Sequence, residues 1–262
     1  MSLLHLGRIV TVSCDSSGNL RTGIVIYHPR VIMKIGIIGA GNIGGTLTRR
    51  FRALGHDVAV ANSRGPESLA GLAAESGAKP VDVTAAVRGK DLIVVTIPLK
   101  NVTELPPNLF KETSKDTVVV DTGNYYPRER DGRIDEIENG VPESRWVERQ
   151  LGRPVIKAFN NIHAEHLMNR GNRNGGPRIA LPVSGDDPVA KAKVMRLVNE
   201  LGFDAVDAGS LDDSWRQQPG SPVYAADLDA AGVRRALQEA HRERTPEWRA
   251  TQNSPGTYQK PA

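Results

Sequence analysis

The chain has 262 residues, 39% of them hydrophobic, and a formal net charge of +4. That length can bury a sizeable core as one large domain or two small ones, and 26 glycines with 17 prolines fall well short of a fibrous or low-complexity composition. One cysteine (Cys14) excludes an internal disulfide framework and points to a reducing, cytoplasmic compartment; no apolar run reaches the roughly 18 residues of a membrane helix, and 5% aromatics is thin for a protein that stacks nucleic-acid bases.

In chain order, residues 1–32 read as an N-terminal extension. Arg8 interrupts the apolar start and no basic run precedes it, which argues against a signal peptide. Leu20 to Val31 reads as one strand or a loose extension. From Lys34 the pattern becomes regular. KIGIIG (34–39) is a short β-branched run ending in glycine, a buried strand. A helix follows from Asn42 to Leu54, with Ile43, Leu47, Phe51 and Leu54 on one face and Gly55 after its end. DVAVAN (57–62) is a strand, 66–77 a helix between proline and glycine, and Val81–Val83 a short strand.

DLIVVTIP (91–98), TVVVDTGN (117–124) and VIKAFNN (155–161) are further strands. IALPVSG (179–185), a helix over 188–201 and FDAVDAG (203–209) continue the alternation. Strands separated by helices imply parallel pairing with right-handed crossovers. The expectation is a Rossmann-type, doubly wound, mostly parallel α/β sheet of about eight strands in a single domain over 33–211.

Residues 124–150 are too long and charged for a simple connection and read as a lid or binding loop, with a short helix over Ser144–Leu151. Residues 170–178 read as an exposed loop. Residues 212–240 form a short C-terminal segment packing on the domain, helical only at Gly232–Ala240. Residues 241–262 read as a disordered tail.

The charge divides along the same boundaries. Residues 1–32 hold three Lys/Arg against one Asp/Glu, and 241–262 hold four against two. Residues 33–240 carry 27 of each and are neutral. No basic, aromatic-interleaved stripe appears, so nucleic acid is not an expected partner.

GAGNIG (39–44) matches G-x-G-x-x-G, follows a buried strand directly and opens an amphipathic helix. Gly39 permits the tight turn, Gly41 lets the backbone approach a pyrophosphate, and Gly44 lets the helix sit close to the sheet. The helix start favours an anion. An NAD site usually carries an acidic residue about 20 positions on, at the ribose hydroxyls. Here the second strand ends Ala61-Asn62-Ser63-Arg64, with no carboxylate before Glu67. A hydroxyl followed by a guanidinium suits a 2′-phosphate, which indicates NADP(H). Thr96, Ile97 and Pro98 end the next strand at the rim where sheet ligands bind. Thr122, Asn124, Asn160 and Asn161 point to the same rim, where a nicotinamide carboxamide would give buried asparagines partners.

Six short motifs in order carry a resemblance: strand–GAGNIG–helix, NSRG (62–65), TIP (96–98), KAFN (157–160), LPVSGDDP (181–188) and VDAGSL (206–211). Over Met33 to Leu211 the chain resembles the NADP-dependent reductases of the deazaflavin coenzyme F(420). It is more distantly similar to the cytosolic domains of six-transmembrane ferric reductases. The resemblance implies an NADP site from Ala40, Gly41, Asn42 and Ile43, with Ser63 and Arg64 on the 2′-phosphate. It implies cofactor contacts from Ile97, Pro98 and Leu99, and Ala164 near the nicotinamide. Asn160 and Ile162 would flank the ring stack, where hydride passes between nicotinamide C4 and deazaflavin C5. No metal site is implied.

The family's histidine at the position aligned with Asn160 is absent. His163 either substitutes for it as a catalytic group or caps the following helix. The family's apolar C-terminal helices, which help form a dimer, are also not evident, and a homodimer stands as an expectation from the resemblance alone. Two alternatives remain open. One is reduction of a small imine, carbonyl or ferric substrate, for which Lys157 is the only rim lysine, or else a solvated strand end. The other is a non-catalytic NADP sensor. The 124–150 segment discriminates: Tyr125, Tyr126, Arg128 and Arg130 facing the nicotinamide end would favour an anionic small-molecule redox partner.

Overall fold

The computed structural model describes residues 7–14, 20–27, 31–243, 256–257 and 259–261. The chain divides into two units, Met1–Ile32 and Met33–Ala262. In the first, β1 (Gly7–Cys14) and β2 (Leu20–Tyr27) pair antiparallel, with Gly7 opposite Tyr27 and Cys14 opposite Leu20. The sequence suggested at most the second strand here. The β-branched run after Arg8 supplies its partner.

In the second unit the elements are β3 (Lys34–Ile38), α1 (Asn42–Ala53), β4 (Asp57–Ala61), α2 (Ala70–Ser76), β5 (Lys79–Pro80), α3 (Val83–Val87), β6 (Leu92–Val95) and β7 (Val118–Asp121). They continue with α4 (Asp135–Glu138), α5 (Glu143–Leu151), β8 (Ile156–Lys157), α6 (Ala164–Asn169), β9 (Ala180–Val183), α7 (Pro188–Glu200), β10 (Asp204–Asp207) and α8 (Ala230–Gln238). Six strands form one parallel sheet in the order β5-β4-β3-β6-β7-β8. The order reverses between β3 and β6, which opens a crevice at the carboxyl ends of those strands.

Both faces of the sheet are covered. Ile35, Ile37, Val58, Val60 and Val94 pack on one side with Leu47 and Phe51 of α1 and Leu197 of α7. Ile38, Ala61, Ile93 and Val95 pack on the other with Ala86, Val87 and Phe110. Period-2 alternation with apolar residues on both faces is what a doubly wound sheet requires.

Three expectations need correction. The sequence predicts about eight strands in one sheet, but the continuous sheet has six. β9 and β10 pair with each other, and among the described residues only Lys157 and Ser184 bridge across, antiparallel. Pro182 in β9 has no N–H to donate to a second neighbour. Gly185 approaches so closely that a Cβ there would stand 2.2 Å from Ile156 Cδ1. The short strand expected at Val81–Val83 lies earlier, at Lys79–Pro80, because Asp82 caps α3 through the Ala85 N–H at 2.8 Å. The C-terminal segment is more ordered than its polarity suggested. A 3₁₀ turn, Leu211–Gln217, opens on a Ser210–Asp213 capping box, and Asp229 caps α8. The predicted tail falls largely outside the described residues.

Below the rim sits a buried ion pair. Lys157 and Asp121 are register partners on β8 and β7. Lys157 is fully buried, with Nζ 3.3 Å from Asp121 Oδ2, and it also donates to the Gly123 carbonyl. Ser144 of α5 donates to Asp121 Oδ2 at 2.6 Å, and the Gly123 N–H donates to Asp121 Oδ1 at 2.8 Å. Lys157 is therefore a structural cation rather than a solvated strand end, because three partners on neighbouring elements satisfy the pair. Lys157→Met is expected to lower stability by about 3–5 kcal/mol in urea unfolding, since it strands a buried carboxylate. A loss no larger than that of a surface pair, about 1 kcal/mol, would refute this role.

Candidate dinucleotide and acceptor site

The three glycines of the loop do different jobs. Gly39 has φ 107°, and a Cβ there would lie 2.3 Å from the Thr96 carbonyl. A Cβ on Gly44 would lie 2.0 Å from the Gly39 carbonyl and 2.6 Å from Thr96 Cγ2. Those two positions are glycine because the protein's own backbone crowds them. Gly41 is different: a Cβ there meets nothing within 4 Å. Its exposed face is free for a ligand. Gly41 is also the N-cap of α1, without any side-chain cap, and the first turn carries no acidic residue. The first N–H groups of a 12-residue helix are thus left for an anion, which fits a pyrophosphate.

Two clefts lead away from this loop and meet at Gly41, Asn42 and Ala164. The first holds about 480 Å³ and is lined by Ala40, Arg49, Arg64 and Ser68 among others. Arg49 is committed to Glu75 through two hydrogen bonds of 2.7 Å. Arg64 is exposed and has no carboxylate partner among the described residues, and Ser63 beside it is exposed as well. Asn62 fixes their turn: its Oδ1 accepts from the Arg64 N–H at 3.0 Å and its Nδ2 donates to Ser68 Oγ at 2.9 Å. Asn62 therefore shapes this turn and leaves the Arg64 side chain on the wall of the first cleft.

The second cleft holds about 440 Å³. Its near side is Ile43, Thr96, Ile97, Pro98 and Ile162. Leu99, expected there, turns inward instead. It is fully buried with Tyr125 and Trp146, because a 3₁₀ turn starts at that residue. Asn160 lines the cleft, but its amide is already used. Its Nδ2 donates to Asn124 Oδ1 at 3.1 Å and to the Gln217 carbonyl at 2.7 Å, and its Oδ1 accepts from Gln217 Nε2 at 2.9 Å. Gln217 Oε1 in turn accepts from Ser184 Oγ at 2.7 Å. Both amide hydrogens of Asn160 are thus committed within the rim, which holds the side chain in place. Asn161 is buried beside it and does not line the cleft; its carbonyl accepts from the Ala225 N–H at 2.9 Å. His163 is exposed at the N-cap of α6 and makes no capping bond. Its ring edge rests on His166, centroids 5.4 Å apart, and no carboxylate orients it among the described residues.

The far wall is where sequence reasoning fell short. Of the four residues proposed from 124–150, Tyr126 and Arg130 face the cleft. Tyr125 is fully buried, with its hydroxyl accepting from the Ile134 N–H at 2.9 Å, and Arg128 donates to the Gly256 carbonyl. Tyr224, from the C-terminal segment, completes the wall, and its hydroxyl is hydrogen-bonded to that of Tyr126. Arg130 stacks over the Tyr126 ring at 5.0 Å. Burial raises both phenols above the ordinary tyrosine value, and the mutual contact raises Tyr126 further while opposing the rise of Tyr224. Nothing in a polar, proline-containing stretch marks Tyr224 in the sequence; only the fold brings it to Tyr126.

Residues 34–125 match the family model described as NADP oxidoreductase, coenzyme F420-dependent. The crystal structure of a hypothetical protein, SMa0349, from Sinorhizobium meliloti is 30% identical with a TM-score of 0.65, over 76% of this chain and 96% of that one. The chain belongs to this NADP oxidoreductase family. Among curated relatives, the protein YjhV of Escherichia coli is 45% identical over 85 residues, 32% of this chain and 56% of that one. The metalloreductase STEAP3 of Rattus norvegicus is 28% identical over 198 residues, 75% of this chain and 37% of that protein. The chain thus spans about half or less of the length of the curated relatives it matches. The family match contains the glycine loop, Arg64 and Thr96–Pro98 and stops at Tyr125, so Tyr126, Arg130, Asn160 and Tyr224 lie beyond it.

Two substitutions test the dinucleotide site. Gly41→Ala is expected to leave the melting temperature unchanged, since the space is open and φ is −73°, yet to weaken NADPH binding at least tenfold by fluorescence titration. Arg64→Ala is expected to weaken NADPH far more than NADH. Equal losses for both would remove Arg64 from the 2′-phosphate.

Proposed function

We propose that the chain transfers hydride between NADP(H) and a deazaflavin of the coenzyme F(420) kind, or a flavin, held in the second cleft. The nucleotide lies along the Gly39–Gly44 loop with its 2′-phosphate at Ser63 and Arg64. The observation that carries the reading is the open cleft over the rim, with Tyr126, Tyr224 and Arg130 across from Thr96–Pro98. An aromatic wall backed by a guanidinium suits a planar, electron-accepting, anionic ring system. The family description, which names coenzyme F420, supports the same partner class.

NADPH when bound supplies the hydride. The chain contributes binding and orientation, and hydride transfer between two rings asks for little else. Backbone N–H groups at α1 receive the pyrophosphate. Ile43 and Ile162 keep water from the ring faces. The Ser184–Gln217–Asn160–Asn124 chain of hydrogen bonds fixes the rim against which the nicotinamide would stack.

A second reading, reduction of a small carbonyl or imine compound, is favoured by the tyrosine pair, because a phenol is a suitable donor to a carbonyl oxygen. A closed nucleotide sensor is disfavoured, because the 124–150 segment leaves the cleft open. The test is the purified protein with NADPH and, in turn, a deazaflavin, FMN and a ferric chelate. Oxidation of NADPH with the deazaflavin or FMN is expected. Turnover with the ferric chelate alone would replace this reading with metal reduction, and no turnover with any acceptor would replace it with the sensor.

A further inference from the structure

The far wall of the cleft holds two phenols, and their protons are not equivalent. Two hydroxyls in contact hold two hydrogens, but only one can lie between the oxygens. The second must point elsewhere. In this contact either oxygen can be the donor, so one hydrogen of the pair stays free for the cleft. The Tyr224 hydroxyl has no hydrogen-bond partner among the described residues other than Tyr126, so when Tyr126 donates the Tyr224 hydrogen is free.

The other polar side chains of this wall are occupied. Arg130 donates to the Asn124 carbonyl and to Asp131. Asn124 Nδ2 donates to the Asn160 carbonyl at 2.9 Å. Tyr224 is also firmly held. Ala225, next to it, sits at φ 53°, a left-handed conformation unusual for alanine, and its N–H donates to the Asn161 carbonyl at 2.9 Å. Asp227 lies 2.8 Å from His166 Nδ1 and 2.6 Å from Arg170 on the α6 side. A strained residue flanked by two anchors on one neighbouring segment fixes a side chain in place.

From this arrangement we infer that Tyr224 is the hydrogen-bond donor to the second substrate. The group it receives is a carbonyl oxygen conjugated to the hydride-accepting atom. This deepens the proposed hydride transfer and rests on it. In the reaction the nicotinamide C4–H bond breaks and its electron pair forms a new C–H or N–H bond on the acceptor, which gains two electrons as NADPH becomes NADP⁺. Negative charge develops on the conjugated oxygen, and the Tyr224 hydrogen bond stabilises it. The proton stays on the phenol, and solvent later protonates the reduced product. The substrate class is therefore an organic two-electron acceptor bearing a conjugated carbonyl, such as a flavin, a deazaflavin or a quinone, rather than a metal chelate.

The test compares FMN with N-methylacridinium, a hydride acceptor that has no carbonyl, in the full-length protein with NADPH. The ratio of the two rates is the readout, because it does not depend on how much folded protein a sample contains. Tyr224→Phe is expected to lower the FMN-to-acridinium ratio at least tenfold. Tyr126→Phe, which leaves the Tyr224 hydroxyl in place, is expected to lower it less. A ratio within twofold of wild type in Tyr224→Phe would overturn the inference while leaving hydride transfer intact. A larger drop in Tyr126→Phe would overturn it too, by assigning the donor to the other phenol. A wild type that reduces neither acceptor would remove the proposed function itself, and the inference with it.

Discussion

The β7–β8 end of the rim is held from beneath by one buried charge pair. Lys157 and Asp121 face each other across two adjacent strands, and both are fully enclosed. Such a pair is stable only when its remaining hydrogen-bonding capacity is met. Ser144 meets it from α5, and the Gly123 backbone meets it from the loop after β7. The same lysine's backbone makes the one isolated bridge among the described residues, to Ser184 just after β9. One residue thus couples the main sheet, the small β9–β10 pair, the helix that closes the long crossover and the loop that carries Asn124. Ser184 then passes the constraint on through Gln217 to Asn160. The floor of the cleft is thus a connected polar network.

The dinucleotide half of the site was readable from the sequence because each part of it is local. A buried strand, a glycine turn and a helix start are contiguous, and the Asn62–Ser63–Arg64 turn follows the very next strand. The acceptor half was not. Tyr126 and Tyr224 are 98 residues apart, and Gln217 is 57 residues from the asparagine it supports. No periodicity encodes such pairings. Lys157 was misread for a related reason: a lysine at a strand end is ordinarily solvated, and only the register of β7 against β8 places Asp121 beside it. Leu99 was misplaced because a 3₁₀ turn begins there and rotates it into the core. The strand count failed where a proline and a glycine interrupt the sheet.

This split matches where the family model lies. The matched residues 34–125 contain the glycine loop, the Asn62–Arg64 turn and Thr96–Pro98. The wall facing them comes from later segments, a connection rich in charge and a C-terminal stretch without a long helix. A common nucleotide half joined to a wall drawn from elsewhere is a physical route by which one fold serves different second substrates.

The bare start of α1 has a consequence for the protein's own folding energetics. Helices often finish their first turn with a serine, threonine or aspartate side chain, and a glycine in that place gives up only a few tenths of a kcal/mol. Here Gly41 has no side chain to cap with, so the first N–H groups of α1 are open to solvent or to an anion. A dinucleotide bound there would add to the stability of the folded state, and binding and folding would be linked quantities. At a nucleotide concentration of about 100 times its dissociation constant the added stability is about 2.7 kcal/mol, a sizeable part of what a typical domain has in total. Resistance to proteolysis, and with it the amount of protein present, would follow the supply of dinucleotide.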